Sequence, residues 1–281
     1  MLGLVALGGL LLGPAGLRAQ QQANAPMPDI RQLMREVQDH QRQLDAIREA
    51  YTYTSFQTVQ DMDSDDHVTK TETSENEDFF VNGHVIERKV KKDGKPLDDH
   101  DAQKETERVT KLVEKAEKTP RGEPLEGQTV SISRLLEIMD VSNERRKDYR
   151  GRPMIVFDFV GRKDAKTHGM IEDASKKLQG TIWIDEADRQ VAHLDVSFID
   201  NFHVAGGLFA NVEKGSNFHF DQNLVNGELW LPTGGEGAMY ARVLLLKNYR
   251  QHFIERDYDY KRFKVETEQT KDAKAVPAAK P

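Results

Sequence analysis

Gly180 to Asp200 reads GTIWIDEADRQVAHLDVSFID. Two runs of alternating apolar residues, 180–185 and 190–198, flank a short acidic link at Asp185 to Arg189. A period of two marks half-buried strands, and so short a polar link between them marks a hairpin. Ile182 and Ile184 share a parity in the first run. Ala192, Leu194, Val196 and Phe198 share one in the second. The pattern repeats in both directions. Before it, RPMIVFDFVGR (152–162) sets Ile155, Phe157 and Phe159 on one face. After it come SNFHFDQNLV (216–225), ELWLP (228–232), AMYARVLLLKNY (238–249) and QHFIERDYDYKRFKVE (251–266). Turn chemistry separates them, at Arg150-Gly151, Asn226-Gly227 and TGGEG (233–237). Phe218 and Phe220 alternate in the first of these later runs, whereas Trp183 and Trp230 fall on the opposite parity to their aliphatic neighbours.

The first half mixes both periods. From Asp29, a natural N-cap, Ile30, Leu33, Met34, Val37, Leu44 and Ile47 recur at three- and four-residue steps, which predicts a one-sided helix. TYTSFQTVQ (52–60), VTKTETSENEDFFV (68–81) and HVIERKVKK (84–92) then read as strands, with Asn82-Gly83 as a tight turn. A second helix is expected from Asp98 to Lys118, acidic at its start and basic at its end, as the helix dipole favours. A third, short one is expected over Ser131 to Asp140. Strands dominate, so the expected class is α+β, mainly β. The architecture is a large twisted antiparallel sheet forming an open half-barrel, with two or three helices on its concave face.

The chain has 281 residues and a formal charge of −7, which argues against a nucleic-acid partner. It has no cysteine, so disulfides, thiolate metal sites and cysteine nucleophiles are excluded. Leu2 to Leu12 is an uncharged apolar run followed by Gly13-Pro14 and Leu17-Arg18-Ala19. That is the layout of a secretory signal peptide over 1–19, with export to the periplasm or beyond. No cysteine follows it to carry a lipid anchor. A polar linker over 20–28 leads to a single domain over 29–265 with a charged insert at about 84–118. A Lys/Ala/Pro tail over 266–281 is expected to be disordered.

Gly151-Arg152 to Phe159, GTIWID at 180–185, VAHLDVSF at 191–198, NGELWLP at 226–232 and YDYKRF at 258–263 together resemble the LolA-like periplasmic lipoprotein-carrier superfamily, the outer-membrane lipoprotein-sorting proteins. The resemblance implies a half-closed barrel with helices inside its concave face and an apolar cavity for acyl chains. The charged 84–118 element departs from that pattern. The residues expected to line the cavity are Ile155, Phe157, Phe159, Ile182, Ile184, Leu194, Val196, Phe198, Phe218 and Phe220. The expected partner is a lipid or the acyl chain of a lipoprotein, with an envelope protein as the alternative, and no cofactor is called for.

Other motifs are weaker. Asp61, Asp63, Asp65 and Glu72 stand at positions 1, 3, 5 and 12 of a calcium loop, but Asp66 stands where glycine makes the sharp turn. Arg145, Arg146, Arg150 and Arg152 make a basic hairpin in an acidic chain. It suits either anionic lipid headgroups or cross-strand carboxylates. His193, His203, His219 and His252 lie on strand segments and meet only through the fold. No nucleophile elbow and no phosphate loop is present, and no catalytic residue is assigned.

Overall fold

The computed structural model describes residues 26–121, 125, 137–204, 210–243 and 247–262. The expected signal segment, the tail and most of the expected third helix lie outside these residues. The last two positions of that helix, Met139 and Asp140, begin a strand instead.

The described elements are α1 (Ile30–Arg48), β1 (Tyr51–Met62), β2 (Val68–Val81), β3 (His84–Lys92), β4 (Lys95–Pro96) and α2 (Asp99–Lys118). Next come β5 (Met139–Tyr149), β6 (Arg152–Gly161), α3 (Met170–Ser175), β7 (Leu178–Asp185) and β8 (Val191–Phe198). The chain continues through β9 (Phe202–Val204), β10 (Ala210–Val212), β11 (Asn217–Val225), β12 (Leu229–Val243) and β13 (Lys247–Arg262). All strands belong to one sheet in the order β4-β3-β2-β1-β13-β12-β11-β8-β7-β6-β5, with β9 and β10 continuing from β12. Every pairing is antiparallel. The order does not close, so β4 and β5 remain edges. β5 carries Glu144, Arg145, Arg146 and Lys147 there, the charged dressing that discourages edge-to-edge pairing.

Asp29 caps α1 as expected, its carboxylate accepting the Gln32 N–H at 2.8 Å. The helix lies along the concave face. Leu33 and Val37 pack on Ile155, Phe157, Ile182, Ile184, Leu194 and Val196. Leu44 and Ile47 pack on a second cluster of Tyr51, Tyr53, Phe80, Leu229 and Leu231. Polar ties hold the helix to the β7–β8 turn: Arg189 pairs with Glu36 at 2.8 Å, and the His40 ring donates to the Asp188 carbonyl at 2.9 Å.

The reverse face has its own apolar layer of Met154, Val156, Ala192 and Trp230, with Tyr149, Trp183 and Leu224 against it. The opposite parity of the two tryptophans thus places both on the convex side. Ala192 joins them rather than Leu194, because the register shifts between Trp183 and Ile184 and the extra residue in β8 turns Ala192 over.

The expectation of helices gathered on the concave face holds for α1 and fails for α2. The stripe Val109, Leu112, Val113 and Ala116 packs on Phe79, Val81 and Ile86. Phe79 and Val81 have the opposite parity to Phe80, which faces α1. The charged insert is therefore a reverse-face buttress for β2 and β3. Asp98 caps α2 by accepting the Asp101 N–H at 2.8 Å. Asp98→Ala is expected to cost about 1 kcal/mol, read as a lower urea midpoint with an unchanged slope.

Candidate functional site

Register across the sheet builds the concave face row by row. One row runs Phe159–Gly180–Val196–Phe218–Gly237–Phe253–Val59. The next runs Phe157–Ile182–Leu194–Phe220–Gly235–Glu255–Gln57. The ten residues expected to line a cavity are thereby brought together on one face. Seven of them, from Ile155 to Val196, are at most 7% exposed and join α1 in one core. Phe198, Phe218 and Phe220 are only partly buried at its margin.

Glycines let this face bend and let rings lie flat on it. A Cβ at Gly180 would stand 2.5 Å from the Phe159 ring, and one at Gly237 would stand 2.4 Å from the Phe253 ring. Gly235 differs. The nearest atoms to a Cβ there are all backbone, of His219 and Phe220, so no ring covers it as closely. Gly235 separates Phe220 on one side from Glu255 on the other, with no side chain of its own between them.

Beyond Gly235 lies what the sequence reading missed. Asp78 and Asp257 are buried, 1% and 8% exposed. Neither oxygen of Asp257 has a hydrogen-bond partner, and the Ser55 hydroxyl beside Asp78 is the one donor near that carboxyl. Asp78 stands opposite Tyr53 and Glu87, and Asp257 opposite Ser55. Around them, Asn76 donates to Ser55 at 3.1 Å, and the Gln57 amide spans Glu255 at 2.9 Å and Glu87 at 3.3 Å. Burial, then the charges of Glu87 and Glu255, push Asp78 up to about 7, and the nearby Ser55 offsets only part of this. Burial, then Glu255, Asp78 and Glu87, push Asp257 up to about 8. Glu255 is raised by burial and then by Glu87. Tyr53 and Tyr260, 5.5 Å apart at their ring centres, border the acids and are themselves raised, first by burial. The available signal was parity. Asp78 and Asp257 occupy inward positions where an alternating strand normally carries an apolar residue.

The convex face carries a polar groove of about 560 Å³, floored by β6, β7, β8 and β11. Asp158, Thr181, Asp195 and His219 cross it in one register row. Beside it, His193 is braced at both nitrogens: Nδ1 meets Asp221 at 2.8 Å and Nε2 meets Asp195 at 3.0 Å. Burial opposes charge on this ring, but the bonds to Asp221 and Asp195 prevail and hold its pKa above the ordinary value. Neither nitrogen is left to take a substrate proton. Burial and then Asp221, which accepts the Tyr149 hydroxyl at 2.8 Å, push Tyr149 up to about 12. His219 stacks 6.0 Å from His193, whereas His252 joins Gln60 and Glu236, and His203 lies on β9.

The basic hairpin is already matched with carboxylates. Arg145 pairs with Asp158 at 2.9 Å, Arg146 with Glu186 at 2.8 Å and Arg150 with Asp221 at 3.5 Å. Arg152 meets Asp185 at 2.5 Å and Asp188 at 2.7 Å. Asp185 is fully buried and also accepts the N–H groups of Ala187 and Asp188, so this group locks the β7–β8 turn.

The structure does not gather the expected calcium ligands. Asp61 accepts from Gln251 at 2.8 Å within the sheet, and Glu72 pairs with Lys70 at 2.8 Å. Asp63 instead accepts the N–H groups of Asp65 and His67, and the ligand atoms of these three residues lie within 4.8 Å of one another. The reason is the pairing of the flanks. Asp66 takes the left-handed turn at φ 63° that a glycine would supply, but β1 and β2 pair up to Met62 and Val68, so the segment closes a hairpin and not a helix–loop–helix.

No family model matches the chain, and no curated protein matches it. Solved structures similar to it include a LolA superfamily protein from Nitrosomonas europaea, at 9% identity and TM-score 0.32, over 82% of this chain and 94% of that one. Another is a putative outer membrane lipoprotein-sorting protein domain from Vibrio parahaemolyticus, at 11% identity and TM-score 0.33, over 83% and 95%. A third is a DUF1329 family protein from Desulfovibrio piger, at 8% identity and TM-score 0.33, over 83% and 94%. At these scores the likeness carries nothing about ligand or activity.

Proposed function

We propose that this chain is an exported, non-catalytic binding protein of the bacterial envelope that shields an acyl chain or similar apolar segment on its concave face. The carrying observation is the continuous apolar face from Ile155 to Phe220, with its partly exposed margin of Phe198, Phe218 and Phe220 beside Gly235. Apolar burial is worth about 25 cal/mol per Å² before the cost of ordering the ligand. In the described state α1 covers the centre of that face, so the ligand is received at the partly exposed margin of Phe198, Phe218 and Phe220. Export is supported by the apolar run over residues 2–12.

The test is native mass spectrometry of the mature protein purified from a periplasm, followed by lipid extraction. The expected result is a lipid or acyl species near unit stoichiometry, and displacement of it by a fluorescent fatty acid. An apo mass with no fatty-acid binding rejects the reading. It favours instead a module whose core is filled by its own helix, the alternative supported by the 0% and 1% exposure of Leu33 and Val37.

A further inference from the structure

We propose that the ligand of the concave face is a cationic amphiphile, an alkyl chain ending in an ammonium or guanidinium group held by Asp78 and Asp257. The inference rests on the reading of that face as an apolar-ligand site and names the class of ligand.

Gly235 stands between two unlike walls. Phe218 and Phe220 form the apolar wall, and Glu255, Asp257 and Asp78 form the acidic one. Two buried carboxyls served by no donor but the Ser55 hydroxyl beside Asp78 are anomalous, because buried polar groups are almost always paired. Their charged neighbours among the described residues are Glu87 and Glu255, of like sign, and Arg256. Arg256 has the opposite parity on β13 and donates to its own strand at the Glu255 carbonyl, 2.8 Å away. A cation is what supplies both the missing charge and the missing donors.

The geometry favours an organic cation over a metal ion. A hard metal needs several oxygens at roughly 2.3–2.6 Å. Among the described residues, three acidic or histidine ligand atoms converge within 4.8 Å at the Asp63 turn and not here. Asp78 and Asp257 come from strands separated by β1 and stand opposite Tyr53 and Ser55, two residues apart on it, so their backbones are about 12 Å apart. An ammonium or guanidinium accepts longer contacts and also the faces of aromatic rings, which Tyr53 and Tyr260 offer beside the acids. With no cation present the two carboxyls hold protons near neutrality, so a bound cation displaces them.

The test is calorimetric titration of the full chain with dodecylamine and with laurate, matched in chain length and kept below micelle formation. It is run at pH 7 in two buffers of different ionisation heat. Dodecylamine is expected to bind at least about tenfold more tightly and to release protons, seen as a buffer-dependent heat. In Asp78→Asn/Asp257→Asn that advantage and the proton release disappear, while laurate binding persists. Equal binding of both probes, or a preference unchanged in the double variant, overturns this inference and leaves the acyl-binding reading standing. Binding of neither probe ends both. Should the double variant not fold, dodecylamine binding to the wild type without proton release overturns the inference on its own.

Discussion

Asp78→Asn/Asp257→Asn is expected to stabilise the free protein at pH 9 and to leave its stability nearly unchanged at pH 4. Both carboxyls are raised, to about 7 and about 8, against the ordinary 3.8. Between pH 4 and 8 the native state therefore binds more protons than the unfolded chain. Stability falls as pH rises through that window and levels off above it. Each tenfold difference in proton affinity between folded and unfolded chain is worth about 1.4 kcal/mol, but the two groups repel one another and titrate as a pair, so simple addition overstates the total. The net expected difference between variant and wild type at pH 9 is roughly 3 kcal/mol. Asparagine mimics the protonated acid in shape and neutrality, so it removes the penalty without opening a cavity. Urea unfolding at pH 4, 7 and 9 measures it. Parallel wild-type and variant curves would show carboxyls that are ionised and partnered in solution.

Phe157→Ala and Phe218→Ala are expected to separate folding from binding. Phe157 is fully buried at the centre of the concave core, so its loss leaves a cavity and costs about 3–5 kcal/mol. Phe218 sits at the partly buried margin, and truncation there costs about 1 kcal/mol of stability. Fatty-acid affinity is expected to reverse that ranking. Phe218→Ala binds a fluorescent fatty acid at least about tenfold more weakly, a change of about 1.4 kcal/mol. Phe157→Ala, under conditions where it remains folded, binds within a few-fold of wild type. A Phe218→Ala variant with undiminished affinity would place the ligand elsewhere on the molecule.

The ion pairs of the β5–β6 hairpin show why charge runs mislead when read in one dimension. Arg145, Arg146, Arg150 and Arg152 form a basic cluster in the chain, yet their partners Asp158, Glu186, Asp221 and Asp185 are scattered along the chain, from the next strand to β11. Cross-strand neighbours are set by register, and register is a property of pairs of strands. The calcium-like spacing at Asp61 to Glu72 fails for a related reason. Spacing brings ligands together only when the flanks let the loop wrap an ion, and here β1 and β2 pair on both sides and hold Asp61 and Glu72 in the sheet.

Much of the fold was legible because local rules suffice for it. Alternation in GTIWID and VAHLDVSF, the Asn-Gly turns and the caps at Asp29 and Asp98 each act within a few residues. The apolar rows from Ile155 to Phe220 followed from the same alternation, since a period of two assigns every side chain to a face. Tertiary structure alone decided which face each helix covers. α1 and α2 have similar one-sided stripes, and they part only because Phe80 and its neighbours Phe79 and Val81 point in opposite directions from one strand. It also decided that Asp78 and Asp257, 179 positions apart in the chain, share one buried space. Burial and the lack of a partner are sums over neighbours drawn from the whole sheet, and no window of sequence contains them.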